Sequence, residues 1–257
     1  MNAAAPLVEA HHLDKSYGKI AVLHDVSLTV APAEAHVVIG PNGAGKTTLF
    51  KVLTGEVKAN RGRVSFKGED VSRLAAHQRV HRGFGRTFQV ARVFGKLSVQ
   101  DNLRIALEAH RRRGNPIGGL GAAATREVGE AIARLCAEAG LERHRDTLSG
   151  TLAYGDRKRL ELAMVLALEP TVLFLDEPTA GMSAAERRAT VELLRSVKQR
   201  RQLSLLLTEH DMDVVFGLAD RISVLHYGKL IASGTPEAIR ADARVQEVYL
   251  GREDHDA

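Results

Sequence analysis

The stretch Gly40-Pro41-Asn42-Gly43-Ala44-Gly45-Lys46-Thr47-Thr48 fits the pattern G-x-x-x-x-G-K-[ST], with the apolar run His36-Val37-Val38-Ile39 before it and a helix-like segment after it. Strand, loop and helix in that order read as a phosphate-binding loop. Glycines let the backbone curl until successive N–H groups face an anion, and the following helix adds the positive end of its dipole. Lys46 is then placed to reach β- and γ-phosphates, and the Thr47 hydroxyl to ligate Mg²⁺. A glycine-rich turn that binds nothing is the competing reading, and the flanking strand and helix weigh against it.

The remaining chemical positions fall downstream at compatible places. Thr171-Val172-Leu173-Phe174-Leu175 is a β-rich apolar run ending in Asp176-Glu177-Pro178. Such a run reads as a buried parallel strand that delivers two carboxylates at its C-terminal end, the edge where open α/β sheets bind ligands. An acid there can hold Mg²⁺ through water, and the next can orient and deprotonate an attacking water, which assigns Asp176 to the metal and Glu177 to the water. The run 203–208 ends in Glu209-His210-Asp211, so His210 also arrives at a strand's end and its imidazole can donate to a γ-phosphate oxygen. A lone histidine after a strand is more often structural or solvated. Its place after a third strand-like run favours the site. Gln89, in Arg86-Thr87-Phe88-Gln89-Val90, could supply an amide to Mg²⁺ or the water.

Together these residues resemble the ATP-binding subunit of an ABC transporter, over residues 7–251. The fold this implies is α/β: a P-loop NTPase core with an antiparallel β subdomain and a helical subdomain. The implied division is a core at about 7–87 and 168–230, helices at about 88–167 and a C-terminal helix region at about 235–251. In that family an aromatic ring stacks on adenine, matched here by Tyr17, and a signature motif of one protomer caps the phosphate held by the other. The signature matches Leu152-Ala153-Tyr154-Gly155-Asp156. The cofactors implied are ATP and Mg²⁺, and the sandwich requires a dimer.

The chain departs from the family pattern in three places. Ala153 stands for the usual signature serine, Asp156 for the final glutamine, and Ala180-Gly181-Met182-Ser183 lacks the aspartate common after the catalytic strand. Phosphate contact would then fall to backbone N–H groups near Tyr154 and Gly155, and Ser183 would hydrogen-bond across the interface in place of a charged group. The triplet Leu148-Ser149-Gly150 reads as a decoy, because Thr151-Leu152 does not continue the signature. Arg86-Thr87-Phe88-Gln89, the stretch 94–103, Leu152-Ala153-Tyr154-Gly155, Glu209-His210-Asp211-Met212, Gly234-Thr235-Pro236 and Val248-Tyr249-Leu250-Gly251 resemble the LivG type, which serves branched-chain amino acid importers. Subunits for urea, other amides or lipopolysaccharide export share much of this.

The partners implied are integral-membrane permeases, a second ATP-binding subunit (a LivF-like sibling or another copy) and, indirectly, an extracytoplasmic substrate-binding protein. The implied place is peripheral, on the cytoplasmic face of the inner membrane. Val90, Val93 and Phe94 are the expected permease-facing surface, with core packing as the alternative for Val93 and Phe94. A soluble ABC ATPase of cluster assembly or repair, and an ATP-binding switch with little turnover, are the other readings.

Composition fits this picture. At 257 residues the chain can bury a substantial core, while a fused pair of such units would need about twice the length. The single cysteine, Cys136, excludes an internal disulfide and suits a reducing compartment. No run approaches the roughly 18 apolar residues of a membrane span, and the N-terminus lacks the marks of a signal peptide. The net charge of +5 raises nucleic acid as a partner. With 36 basic and 31 acidic residues interspersed and few aromatics, clusters such as Arg111-Arg112-Arg113 and Arg157-Lys158-Arg159 read as solvated faces, so no nucleic acid is expected.

Strand-like runs at 7–13, 26–30 and 63–66 predict an antiparallel layer, and runs ending at Ile39, Leu175 and Thr208, with 221–225, a parallel core. Val128, Ile132, Leu135 and Ala139 recur at helix spacing, with Thr125 near the start and Gly140 past the end. A Gly-rich loop at 114–121 separates helical pieces. Thr235-Pro236 predicts the start of a final short helix.

Overall fold

The computed structural model describes residues 5–88, 90–111 and 122–250, without the side chains of 122–125 and 249–250. Gln89, Arg112-Arg113, the stretch 114–121 and Gly251 lie outside the described residues, as do the side chains of Thr125, Tyr249 and Leu250. In chain order, β1 (Val8–Tyr17), β2 (Ile20–Val30) and β3 (Ala35–Ile39) lead into α1 (Lys46–Leu53). Next come β4 (Arg61–Phe66), β5 (Glu69–Asp70), α2 (Ala76–His81) and β6 (Phe84–Arg86). A helical stretch follows, with α3 (Val99–Arg111), α4 (Ala122–Ala139) and α5 (Tyr154–Leu166). The chain then alternates through β7 (Val172–Asp176), α6 (Ala184–Arg201), β8 (Ser204–Thr208), α7 (Met212–Leu218) and β9 (Arg221–His226), and closes with β10 (Lys229–Gly234), α8 (Pro236–Ala241) and α9 (Ala243–Leu250).

Two sheets result. The antiparallel sheet runs β2-β1-β4-β5, and the main sheet β10-β9-β3-β8-β7-β6, parallel except for β10. The main strands are buried on both faces, which is why they read as unbroken apolar runs. Alternate side chains serve different cores. Val37, Ile39, Leu173, Leu175, Leu205 and Leu207 face the helices α3 to α7, whereas Val38, Val172, Phe174 and Leu206 face α1 and the antiparallel sheet. An aromatic group fills the second core: the Phe84 ring stacks on Phe174 at 5.3 Å, and Phe50 meets Phe174 edge-on at 6.0 Å.

The expected layers are present, with corrections at their edges. β2 starts at Ile20, six residues ahead of the apolar run at 26–30, because its first half pairs with β1 through Tyr17↔Ile20 at a hairpin end where exposure replaces alternation. β6 and β10 escape the pattern: one is three residues long and the other is a half-exposed edge. A core boundary at 230 falls inside β10. The helix begun at Thr235-Pro236 has its N-cap there, the Thr235 hydroxyl accepting from the Ala238 N–H at 3.3 Å, but it is not the last, since α9 follows Asp242. Gly140 ends α4 at φ +67°, a left-handed turn that a Cβ would strain.

Lys158 overturns the solvated-face reading of Arg157-Lys158-Arg159. It is buried, its ammonium donating to the Phe88 carbonyl at 2.6 Å and lying 3.9 Å from Glu161, because it falls on the inward face of α5. Arg79 is equally unsignalled: fully buried, its guanidinium donates to the carbonyls of Val52, Leu53, Ser72 and Leu74 and so satisfies the C-terminal end of α1. The helix that follows the phosphate loop is thereby anchored from below.

His36, in the middle strand, is also fully buried; Nδ1 lies 3.0 Å from the Thr29 carbonyl and Nε2 2.8 Å from the Ser223 hydroxyl. A neutral ring satisfies both if Nδ1 donates and Nε2 accepts. Burial pushes its pKa down to about 4, against a pull from Glu34. The unfolded chain therefore binds this proton more readily between about pH 6.5 and 4, and the contribution of neutral His36 is complete above that window and lost through it. Urea unfolding should show the parent losing on the order of 3 kcal/mol more across the window than His36→Asn, which has no such proton to bind.

Candidate functional site

The loop after β3 turns at the C-terminal edge of the main sheet. Register brings the other chemistry to the same edge: Val38 lies beside Thr208, and Thr208 beside Asp176. Gly40 is there for space, since a Cβ on it would come within 2.1 Å of the Leu225 carbonyl oxygen. Gly45 has φ +105°, and α1 starts after it with no side-chain cap, which leaves the helix N-terminus to an anion. Gly40→Ala is expected to push the loop off β9 and lower ATP affinity at least about tenfold with the fold retained, read by nucleotide titration and circular dichroism.

Pro41 is half-buried, Asn42, Gly43 and Thr47 are exposed, Ala44 is buried and Thr48 half-buried, so the loop presents its middle and the Thr47 hydroxyl to solvent. Lys46 is only 7% exposed and its Nζ donates to the Gly40 carbonyl at 2.6 Å and the Pro41 carbonyl at 3.1 Å. Burial lowers its pKa, while the charges of Glu177 and Asp176 pull it back up. The ammonium is thus held by the loop's own carbonyls and within the field of both acids.

Thr208 organises those acids. Its hydroxyl donates to Asp176 Oδ1 at 2.8 Å and accepts from the Glu177 N–H at 3.1 Å. Arg86 stands behind Asp176 at 4.0 Å, paired with Glu56 and donating to Thr54 Oγ1 at 2.9 Å. Glu177 sits at φ +47°, an unusual backbone for a non-glycine residue, and His210 Nε2 lies 2.8 Å from its Oε1. With Glu177 ionised, Nε2 must carry the proton of that bond, so the imidazole holds the carboxylate in this structure. Thr47 and Asp176 offer oxygen donors, the kind Mg²⁺ takes.

Two outlying groups complete the geometry. Tyr17 ends β1 with its ring 44% exposed and the Lys15 ammonium 5.0 Å from its centroid. Leu152 is buried, Ala153 is the uncapped N-cap of α5, and Tyr154 is exposed. Asp156 lies 3.7 Å from His144 and 3.9 Å from Arg159, so its charge is partly balanced within the chain. The start of α5 borders the first turn of α6: a Cβ on Gly155 would meet Glu186 Oε1 at 3.3 Å. Ser149 of the rejected triplet is buried and donates to the Phe94 carbonyl at 2.8 Å, a structural post.

Comparison with known proteins decides what this arrangement belongs to. The family model described as ABC transporter matches residues 23–180. The chain belongs to the ABC transporter ATP-binding family. A further model, described as branched-chain amino acid ATP-binding cassette transporter, matches residues 229–255. Over 250 residues the chain is 36% identical to the high-affinity branched-chain amino acid transport ATP-binding protein LivG of Escherichia coli, covering 96% of this chain and 98% of that one. It is 35% identical to BraF of Pseudomonas aeruginosa and 36% identical to the lipopolysaccharide export ATP-binding protein LptB of Haemophilus influenzae, each over 96% and 98% of the two chains. Among solved structures, the ADP conformation of an ATP-binding cassette of an ABC transporter superposes with TM-score 0.82 at 27% identity, covering 96% of this chain and all of that one. The chain is an ATP-binding, ATP-hydrolysing subunit that works in pairs with membrane permeases. No described helix is long and apolar enough to cross a membrane.

In this ABC subunit the site contains residues that the sequence left unassigned. Thr208 ends a strand like any other threonine, Arg86 is one of many arginines, and Glu209 and Glu161 are ordinary acids until burial is known. Ser183, expected to reach across an interface, is engaged at home: its hydroxyl donates to Glu186 Oε2 at 2.7 Å within a capping box that starts α6. Val93 packs against the core, whereas Val90 and Phe94 are 74% and 51% exposed.

Proposed function

We propose that this ABC subunit powers uptake of branched-chain or other hydrophobic amino acids. The single observation that carries this reading is the match of its C-terminal region to the branched-chain amino acid family model, beside LivG-type relatives over its whole length. The same reading has one division of the chain: a nucleotide core at about 7–87 and 168–230, extended through β10, a helical subdomain at about 88–167 and a C-terminal helix region at about 235–251.

In this proposal Tyr17 stacks on adenine. The backbone from Gly40 through Thr48 cradles the phosphates and Lys46 swings from its loop carbonyls to neutralise them. Thr47, Asp176 and Gln89 hold Mg²⁺, which when bound would draw charge from the phosphate oxygens as hydrolysis proceeds. Glu177 takes the proton of the attacking water, oriented by His210. Leu152 to Asp156 of a second subunit closes the site through the backbone N–H groups at the uncapped start of α5, since Ala153 offers no hydroxyl. The second subunit is a LivF-like sibling or another copy. Both sit against the cytoplasmic face of the inner membrane, with Val90 and Phe94 meeting the permease and a substrate-binding protein acting from the far side.

Tagged Glu177→Gln protein, gently solubilised from membranes in MgATP, tests this through what copurifies. Two polytopic permeases of the amino-acid type with a second ATPase support it. Lipopolysaccharide-export components, or soluble proteins alone, overturn it.

A further inference from the structure

Glu209 joins β8 to His210 and is 3% exposed. Its Oε1 accepts from both the N–H (3.0 Å) and the hydroxyl (2.7 Å) of Thr179, and its Oε2 accepts from the His210 N–H at 3.2 Å. Thr179 is itself buried and its carbonyl accepts from the Met182 N–H at 3.2 Å, so it anchors the whole turn between Glu177 and the cap of α6. One carboxylate therefore ties the turn after β7 to the backbone that carries His210, and the imidazole of His210 holds Glu177. Burying a carboxylate is costly unless hydrogen bonds answer it, and here its neighbours supply donors only. Burial raises its pKa, and the bonds from Thr179 and from the His210 and Asp211 backbone lower it again.

We propose that Glu209 is a positioning residue of the ATPase site, locking the turn after β7 to the His210 backbone and thereby setting the Glu177–His210 pair. This rests on reading Glu177 and His210 as the hydrolytic pair. Only an ionised carboxylate offers two acceptors and no donor at this point. An amide satisfies one side and turns a donor toward the N–H on the other.

Glu209→Gln keeps the volume and tests the claim. Expected are a kcat about tenfold lower or more, a KM for ATP within about twofold, and little change in melting temperature. In single turnover with excess enzyme, the same change made in His210→Ala should cost less than about twofold further, because the residue through which it acts is gone. Thr179→Val, which removes the hydroxyl's bond to Glu209, should reproduce part of the kcat loss and serves if Glu209→Gln does not fold. Parent kcat in both, or a full multiplicative loss in the His210→Ala background, would overturn the proposal. Parent turnover in Glu177→Gln and His210→Ala themselves would instead fell the reading of the pair.

Discussion

Glu177→Gln is expected to release phosphate from ATP at a rate about 10²- to 10⁴-fold below the parent while binding MgATP as tightly. The carboxylate stands at the sheet's edge with its backbone fixed by Thr208 and its Oε1 2.8 Å from His210 Nε2. An amide retains the shape and accepts the same bond, but it cannot take a proton from water. The loss should therefore fall on the chemical step, and a filter-binding assay beside phosphate release separates the two. The strained φ of Glu177 does not complicate the comparison, because glutamine bears the same backbone cost.

Lys46→Ala should fail one step earlier. The ammonium lies in the loop among carbonyl oxygens and within the field of Asp176 and Glu177, so its removal takes a compensating positive charge away from both carboxylates. An incoming triphosphate then meets a site that repels it and lacks a charge-assisted donor for its β- and γ-oxygens. ATP affinity should drop about 10- to 100-fold, and turnover with it. Titration with a fluorescent ATP analogue reads this directly; unchanged affinity would mean that Lys46 never leaves its loop carbonyls.

The sequence carried the nucleotide edge because each part has a local signature. A phosphate loop needs its glycines in fixed places, and a strand buried on both faces shows as an apolar run whose terminal acids stand out. Gly40, Asp176, Glu177 and His210 were legible for that reason, and the structure brings them together at one sheet edge. Arg79, Lys158, Glu161, Thr208 and Glu209 were not, because their roles depend on carbonyls and N–H groups far away in sequence. Arg79 answers the end of a helix some 26 residues earlier, and Glu209 a turn 30 residues earlier. Charge clusters misled where one member of the run points inward, as Lys158 does. Ser183 has a role the sequence did not announce, its hydroxyl starting α6 in a capping box with Glu186.

The departures in the signature become less severe in the folded chain. Asp156 has His144 and Arg159 beside it, and Ala153 leaves the start of a 13-residue helix without a side-chain cap. Both features keep the region able to approach an anion through its backbone.

The central claim is that ATP hydrolysis at this edge drives amino-acid uptake. Phosphate release by the complete transporter reconstituted in lipid, measured with and without a leucine-loaded binding protein, tests it most directly. The account predicts a rise of several-fold with leucine that Glu177→Gln abolishes. A rate indifferent to branched-chain and other hydrophobic amino acids, yet still dependent on Glu177, would contradict it.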